Sequence, residues 1–161
     1  LEGHRVTKVR KTTQAASNEP ELHGTVRLSA NGMAKVLGDL EARVLQTIWA
    51  LGKPVPARVV HARVAKRHRG SPITVITVIN KLVAKKVLAR EKQDELLHYR
   101  AVLSEEAFLA VVSRRVVEGV LSFGPDAVAA SFVDVLAEQD PKRLEELGRL
   151  IRRKLKQVGE K

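Results

Sequence analysis

Apolar residues recur at three- and four-residue spacing between residues 71 and 86, and this pattern predicts an amphipathic helix. Ser71 followed by Pro72 suits the N-cap and first turn of such a helix. Its apolar side consists of Val75, Val78, Ile79 and Leu82. Its outward side consists of Thr74, Thr77, Asn80, Lys81 and Lys85. Short hydroxyl side chains let a helix approach base edges in a DNA major groove while lysines reach phosphates, so this helix is a candidate DNA reader; a plain solvated face is the alternative.

Two further helices are predicted ahead of this one. The first opens at residues 38–41 with acidic side chains in its first turn, and Gly52 and Pro54 end it. Its apolar stripe consists of Leu40, Val44, Leu45, Ile48 and Trp49, and the spacing favours core packing over a ligand platform for the tryptophan. The second runs from Pro56 to about Lys66. This succession of a helix, a short turn, a helix and a third helix is typical of a helix-turn-helix.

After residue 86 the hydrophobic period changes from about 3.6 to 2, which predicts two strands, over residues 87–90 and 96–103. The polar residues 91–95 link them into a hairpin. A hairpin directly after a DNA-reading helix is typical of the wing of a winged-helix domain, here assigned to residues 36–103. We expect three wing cations to lie at the DNA backbone, with ordinary exposed strand residues as the alternative: Arg90, Lys92 and Arg100.

Residues 104–161 are predicted to form three more helices, from Ser104 to about Ser122, over residues 127–137, and from residues 140–141 to about Gln157. These helices are too few to bury their apolar faces alone, so they pack on the winged helix or pair with a second copy of the chain, and we favour pairing. The predicted dimerisation residues are Phe108, Val112, Val116, Phe132, Val133, Leu136, Leu144 and Leu147. The expected fold is mostly α with a small β wing: a winged helix-turn-helix followed by a C-terminal helical dimerisation region.

Residues 1–35 have mixed polarity and no sustained period, which predicts a disordered basic N-terminal extension. Basic side chains in it could contact phosphates, or the extension has no role. Met33 is the only methionine and precedes the first organised helix, so a third alternative is that Met33 is the natural start and the residues before it are not native.

The formal net charge of +11 is concentrated in one part of the chain. Residues 56–100 hold eleven Lys or Arg against three acids, whereas residues 36–55 and 101–161 are each balanced. A basic segment between neutral flanks indicates a polyanion-binding surface, and nucleic acid is favoured over a membrane because the lysines do not flank a strongly hydrophobic face. The chain has no cysteine and no apolar run of the roughly 18 to 20 residues that span a bilayer, so we expect a cytoplasmic protein without membrane insertion.

Residues that could bind a metal or carry out catalysis are dispersed along the sequence and form no recognised motif. Among the five histidines only His61 and His68 share a segment, with no carboxylate between them, so their spacing gives little support for a metal site. The sequence has no glycine-rich phosphate loop and no arrangement of Ser, His and Asp typical of a hydrolase. We therefore predict a protein that is not an enzyme and that needs no metal or cofactor.

Three segments carry a resemblance to a known family, namely LGDLEARVLQTIWALGKPVPARVV, SPITVITVINKL and LAREKQDELLHYRAVLSEEAF. They resemble the bacterial penicillinase-repressor family of the BlaI, MecI and CopY type, from about Leu37 to Phe108; the C-terminal helices agree in length and order rather than in residues. The resemblance implies a homodimeric repressor that binds an inverted-repeat operator, and control of beta-lactam or cell-envelope stress genes. The family pattern Thr-x-x-Thr with a basic residue four further on places DNA contacts at Thr74, Thr77 and Lys81.

The chain departs from the family pattern in four respects. Lys81 stands where the family often has Arg, which predicts weaker discrimination of guanine. Lys86 stands where the family usually has Gly, which predicts a different turn into the wing or a strained left-handed residue. Residues 121–123 read Leu-Ser-Phe where a membrane metalloprotease sensor cuts related repressors between Asn and Phe, and the absence of cysteine excludes the copper-sensing tail.

Taken together, these patterns predict a sequence-specific dimeric repressor whose partners are double-stranded operator DNA and a second copy of itself. The alternative is a winged-helix module that binds DNA without sequence preference or docks a protein. The full set of predicted DNA contacts is Ser71, Ile73, Thr74, Thr77, Lys81, Lys85, Arg90, Lys92 and Arg100.

Overall fold

The computed structural model describes residues 32–159. The predicted basic extension therefore lies outside the described residues, except at its end. There, Gly32–Lys35 forms a short 3-10 helix whose Met33 side chain is buried. This helix packs on the first α-helix, because Met33, which falls in the predicted extension, and Leu37 just after it are both buried apolar side chains.

Three helices form the helix-turn-helix: α1 (Asp39–Leu51), α2 (Ala57–Val64) and α3 (Pro72–Ala84). Each packs against the other two. The α1 helix begins where the Gly38 N–H donates to Glu41 Oε2 at 2.9 Å, and it ends at Gly52, whose φ of 66° is left-handed. The predicted buried side of α3 is confirmed, since all four of its side chains are in the core: Val75, Val78, Ile79 and Leu82.

The wing belongs to a three-stranded antiparallel sheet in the order β1, β3, β2: β1 is Val55–Pro56, β2 is Leu88–Gln93 and β3 is Leu96–Ala101. The sequence predicts only the last two strands. Two-residue β1 is too short to show a period, and it exists because it pairs with β3, with Val55 opposite the buried Tyr99.

The hairpin link is shorter than the predicted residues 91–95. Only Asp94 and Glu95 lie in the turn, with φ values of 47° and 65°. A two-residue turn with both φ values positive matches the right-handed twist of the flanking strands, so β2 stays paired as far as Gln93 opposite Leu96.

Lys86 follows the end of α3 in a left-handed backbone conformation. Its φ is 57°, which is the second of the two predicted alternatives, a strained left-handed residue. The Lys86 N–H donates to Val83 O at 3.0 Å and the Val87 N–H to Leu82 O at 2.9 Å. This is the bond pattern of a Schellman cap, whose left-handed position favours glycine.

Lys86→Gly is expected to raise the free energy of unfolding by about 0.5–1 kcal/mol, because glycine adopts a left-handed φ without the steric cost of a Cβ. Urea unfolding followed by Trp49 fluorescence measures it. The matched control, Lys81→Gly inside α3, is expected to lower stability by about 1 kcal/mol. Destabilisation by both substitutions alike would show that Lys86 is not strained.

The chain divides into two compact units, the first ending at Glu105 and the second beginning at Glu106. The C-terminal helices are α4 (Glu105–Leu121), α5 (Pro125–Gln139) and α6 (Pro141–Gly159). Helices α5 and α6 pack against each other, yet neither contains a buried residue. The predicted fold class, a winged helix-turn-helix followed by C-terminal helices, is confirmed.

Among residues 32–159 no single helix is long and apolar enough to cross a membrane. Helices α4 and α5 meet that requirement only when they are taken together, and they are separated by a bend of 119°.

Candidate nucleic-acid interface

The outward side of α3 presents a row of exposed side chains over a fully buried stripe. Five of the predicted contacts are exposed there: Ser71, Ile73, Thr74, Thr77 and Lys81. Asn80 and Ile76 are exposed as well, and neither was among the predicted contacts. The helical period places Ile73, Thr77 and Asn80 on one line, which agrees with the predicted outward position of Asn80. Exposed isoleucines near the start of a DNA-reading helix suit contact with thymine methyl groups.

Hydrogen bonds within the first turns of α3 fix its hydroxyl groups. The Thr74 N–H donates to Ser71 Oγ at 3.2 Å, and the two hydroxyl oxygens lie 3.0 Å apart. This confirms Ser71 as the N-cap. The Thr77 hydroxyl donates to Ile73 O at 2.9 Å. Thr77 therefore offers its methyl group and an acceptor oxygen to a ligand, rather than a donor.

Lys85 lies apart from this row. Its Nζ is 2.9 Å from Glu41 Oε1 and 3.0 Å from Oε2, and the two side chains are only 29% and 12% exposed. The prediction that Lys85 contacts DNA remains untested, but its ammonium already has a carboxylate partner. Glu41 is 44 residues away in sequence, and its place in the first turn of α1 signals only a helix cap.

Burial alone raises the pKa of Glu41, but the N–H of Gly38 and the ammonium of Lys85 outweigh it, with a further contribution from Lys81. The pKa of this carboxyl is therefore lowered from its ordinary value of 4.5. The pair joins the start of α1 to the end of α3, so it helps to hold α3 in place.

Glu41→Gln is expected to lower the free energy of unfolding by about 1 kcal/mol near pH 7, because it removes a charged acceptor shared by Gly38 and Lys85. A carboxyl with a lowered folded pKa stabilises the protein above its unfolded pKa, and this contribution disappears as the pH falls through the folded pKa. Urea unfolding of both proteins on either side of pH 4.5 should therefore converge in acid. Glu106→Gln, at an exposed glutamate of α4, is the control. If the stability difference between wild type and the Glu41→Gln variant does not change with pH, the charge role is contradicted.

The three predicted wing cations are all exposed but do not form one patch. Arg90 lies opposite Tyr99 and Arg100 opposite Ala89, so the two arginines are on opposite faces of the hairpin. Lys92 shares the face of Arg90, and its Nζ is 2.7 Å from Glu95 Oε2 in an exposed pair. Such a pair is worth little in water, so Lys92 can exchange its carboxylate for a phosphate.

The predicted dimerisation residues fall into two groups. Phe108 and Val112 are already buried within the chain. The others are half-buried or exposed, with Phe132 54% and Val133 45% exposed: Val116, Phe132, Val133, Leu136, Leu144 and Leu147. The second group is the part that a partner could cover.

The histidines of the described chain do not build a metal site. Within residues 32–159 no group of three or more His, Asp or Glu side chains could hold a metal ion. His61 Nε2 instead lies 3.2 Å from Gly70 O, where it ties α2 to the link before α3. Trp49 is half-buried and donates its indole N–H to Leu103 O at 2.8 Å, which agrees with a packing role.

The chain is similar in sequence to a known family and to known regulators. A sequence model described as Penicillinase repressor matches residues 37–153. The transcriptional regulator BlaI from two strains of Mycobacterium tuberculosis is 31% identical over 80 residues, which cover 48% of this chain and 58% of the relative. The chain thus spans little more than half the length of these curated relatives. A mutant of ZitR from Lactococcus lactis, with a TM-score of 0.38, 11% identity and 84% of each chain covered, is too remote a likeness to bear on fold or function.

Proposed function

Because the chain belongs to the penicillinase-repressor family, as its sequence resemblance predicts, we propose that it is a sequence-specific DNA-binding transcriptional repressor. The outward side of α3 supports this proposal, because Ile73, Thr77 and Asn80 are exposed together there above a stripe of buried side chains. The names of the family and of the BlaI relatives describe regulators, in agreement with the prediction that the chain is not an enzyme.

Base reading is assigned to small and amide side chains of α3. The methyl group and acceptor oxygen of Thr77 suit a thymine methyl and an exocyclic amine, and the amide of Asn80 suits the paired donor and acceptor of adenine. Lys81, an ammonium on a flexible stem, suits a phosphate or a single acceptor rather than a bidentate contact with guanine. The proposed operator is therefore read mainly at A·T pairs.

Phosphate contacts are assigned to the wing cations of the basic segment 56–100, a segment that carries eleven Lys or Arg against three acids. Arg90 and Lys92 on one face of the wing and Arg100 on the other can follow a backbone on either side of the hairpin. Binding through these groups releases counterions, so affinity is expected to fall steeply with salt.

The repressor is proposed to act as a homodimer on an inverted repeat. No residue of α5 or α6 is buried within the chain, and large apolar side chains are exposed along both helices. Covering such faces with a second copy is the usual way to bury them, and a two-fold axis then spaces two winged helices on two half-sites.

Regulation by a membrane metalloprotease sensor stays a prediction from the family resemblance. It is supported by the exposure of the segment where related repressors are cut, since Phe123 is 88% exposed between α4 and α5. The regulated genes, beta-lactam or cell-envelope stress genes by the same resemblance, also remain a proposal.

Selection from a random duplex library tests the function. The chain is incubated with the library and a large excess of nonspecific competitor DNA, and bound duplexes are amplified and sequenced over several rounds. A two-fold symmetric motif whose half-sites contain A·T pairs is expected. If no motif is enriched, the chain binds DNA without sequence preference and the repressor proposal fails; an asymmetric motif would contradict the homodimer.

A further inference from the structure

A basic cleft lies between the outer surfaces of α1 and α2, apart from the exposed row of α3. It has a volume of about 410 Å³. The side chains that matter are Arg43, Gln46 and Thr47 from α1, with Arg63, Lys66 and Arg67 from the last turn of α2 and the link after it. This volume falls within the range of pockets that hold small molecules, roughly 300–1,000 Å³.

The cleft contains four cations and no carboxylate. Other basic side chains of the described chain do find acids: Lys85 pairs with Glu41, Lys92 with Glu95 and Arg114 with Glu118. Within residues 32–159, none of the four cleft cations makes an ion pair. A concave surface lined by one sign of charge concentrates counterions, and an anion that enters it removes the mutual repulsion of four like charges.

We propose that this cleft is a binding site for a small polyanion that carries two or more phosphate groups. The planar guanidinium groups of Arg43, Arg63 and Arg67 suit bidentate contacts with phosphate oxygens, and Lys66 supplies a point charge. The Thr47 hydroxyl already donates to Arg43 O at 2.8 Å, so the neutral donor left for the rest of the ligand is the Gln46 amide.

The position of the cleft favours a small ligand over the operator duplex. Helix α1 packs in the core through Ala42, Val44, Leu45 and Ile48, whereas Arg43 and Gln46 are exposed on its other side. The α1 residues of the cleft thus lie away from the core side of that helix, and no residue that lines the cleft belongs to α3 or to the wing. We therefore expect a duplex held by α3 and the wing to leave the cleft open, so that this site is additional to the proposed DNA surface.

The ligand would act on the link that sets the DNA-reading helix. The Arg67 and His68 N–H groups both donate to Val64 O at 3.0 Å, and His61 is tied to Gly70 O. A phosphate bound by Lys66 and Arg67 would contact this short link, which leads directly to the N-cap Ser71. The proposed ligand is therefore a phosphorylated small molecule bound next to the segment that precedes α3.

Calorimetric titration of the full chain with inorganic pyrophosphate, at near-physiological ionic strength, tests the site. The double variant Arg43→Gln/Arg67→Gln is expected to weaken pyrophosphate binding at least about tenfold. The matched control Lys53→Gln/Arg58→Gln removes the same charge from exposed positions of the same unit and should change the affinity less than about twofold. Both pairs are exposed, and far-UV circular dichroism checks that the variants fold.

Two results would overturn the proposal. If wild type binds no pyrophosphate, or if both double variants weaken it equally, the cleft is only part of a diffuse positive surface. The second result would come from measurements with DNA. Pyrophosphate is expected to bind the chain even when the chain is saturated with duplex. The Arg43→Gln/Arg67→Gln variant is expected to keep its duplex affinity within about twofold of wild type. If duplex excludes pyrophosphate and the cleft variant loses both ligands alike, the cleft is a DNA contact instead.

Discussion

Leu82→Ala is expected to lower the free energy of unfolding of the winged-helix unit by about 2–5 kcal/mol. Leu82 is completely buried on the inner side of α3, where α1, α2 and β2 pack. Its truncation removes apolar contact and leaves a cavity that the three-helix core can only partly close. Because the same side chains hold the DNA-reading helix, duplex affinity should fall in parallel at temperatures where the variant begins to unfold.

Urea unfolding followed by the fluorescence of Trp49, the only tryptophan, reports on this unit directly. Ile73→Ala is the matched control, since it shortens an apolar side chain of the same helix that is 75% exposed. It should change stability by less than about 0.5 kcal/mol. Equal losses for the two variants would contradict the assignment of inner and outer sides of α3.

Thr77→Ala is expected to lower affinity for a selected operator about tenfold while leaving affinity for random duplex nearly unchanged. Thr77 lies on the outward side of α3, and its hydroxyl hydrogen is committed to Ile73 O. The contact that alanine loses is therefore a branched methyl group and an acceptor oxygen. Thr77→Val restores the methyl group without the acceptor, so an intermediate affinity is expected. Fluorescence anisotropy with labelled duplexes measures all three proteins.

Arg100→Ala provides the contrast, because an exposed wing arginine is assigned to a phosphate. It should weaken binding to operator and to random duplex alike. It should also reduce by about one the number of counterions released on binding, as measured from the slope of log affinity against log salt concentration. If Thr77→Ala weakens both duplexes equally, Thr77 has no base-reading role. If Arg100→Ala spares random duplex, its contact is to a base edge and not to the backbone.

The positions of the helices follow from local signals in the chain. Ser71-Pro72 begins α3, Gly52 ends α1, and the spacing of Val75, Ile79 and Leu82 fixes which side of α3 is buried. These signals act over three or four residues, so one sequence contains them in full. The exposed row on α3 follows from the same period, which places Thr74, Thr77 and Asn80 on the outward side.

Contacts between distant residues required the structure. Strand β1 exists only through its pairing with β3, and the Lys85 ion pair only through the approach of Glu41 across 44 residues. Arg90 and Arg100 look equivalent in sequence but lie on opposite faces of the hairpin, because the turn at Asp94 and Glu95 sets the register. Such pairings depend on where chain segments meet, and no local pattern records them.

Four features can be read from the amino-acid sequence alone: the helix-turn-helix order, the wing, the inner and outer sides of α3, and the concentration of positive charge in residues 56–100. Helical period, capping residues and charge are properties of neighbouring residues. Which cations lie close together depends instead on how the helices and strands pack. This packing removed Lys85 from the exposed row, placed the wing arginines on two faces, and gathered Arg43 with Arg63 and Arg67 in one cleft. The physical reason is that electrostatic interaction depends on distance in space, which packing sets and sequence separation does not.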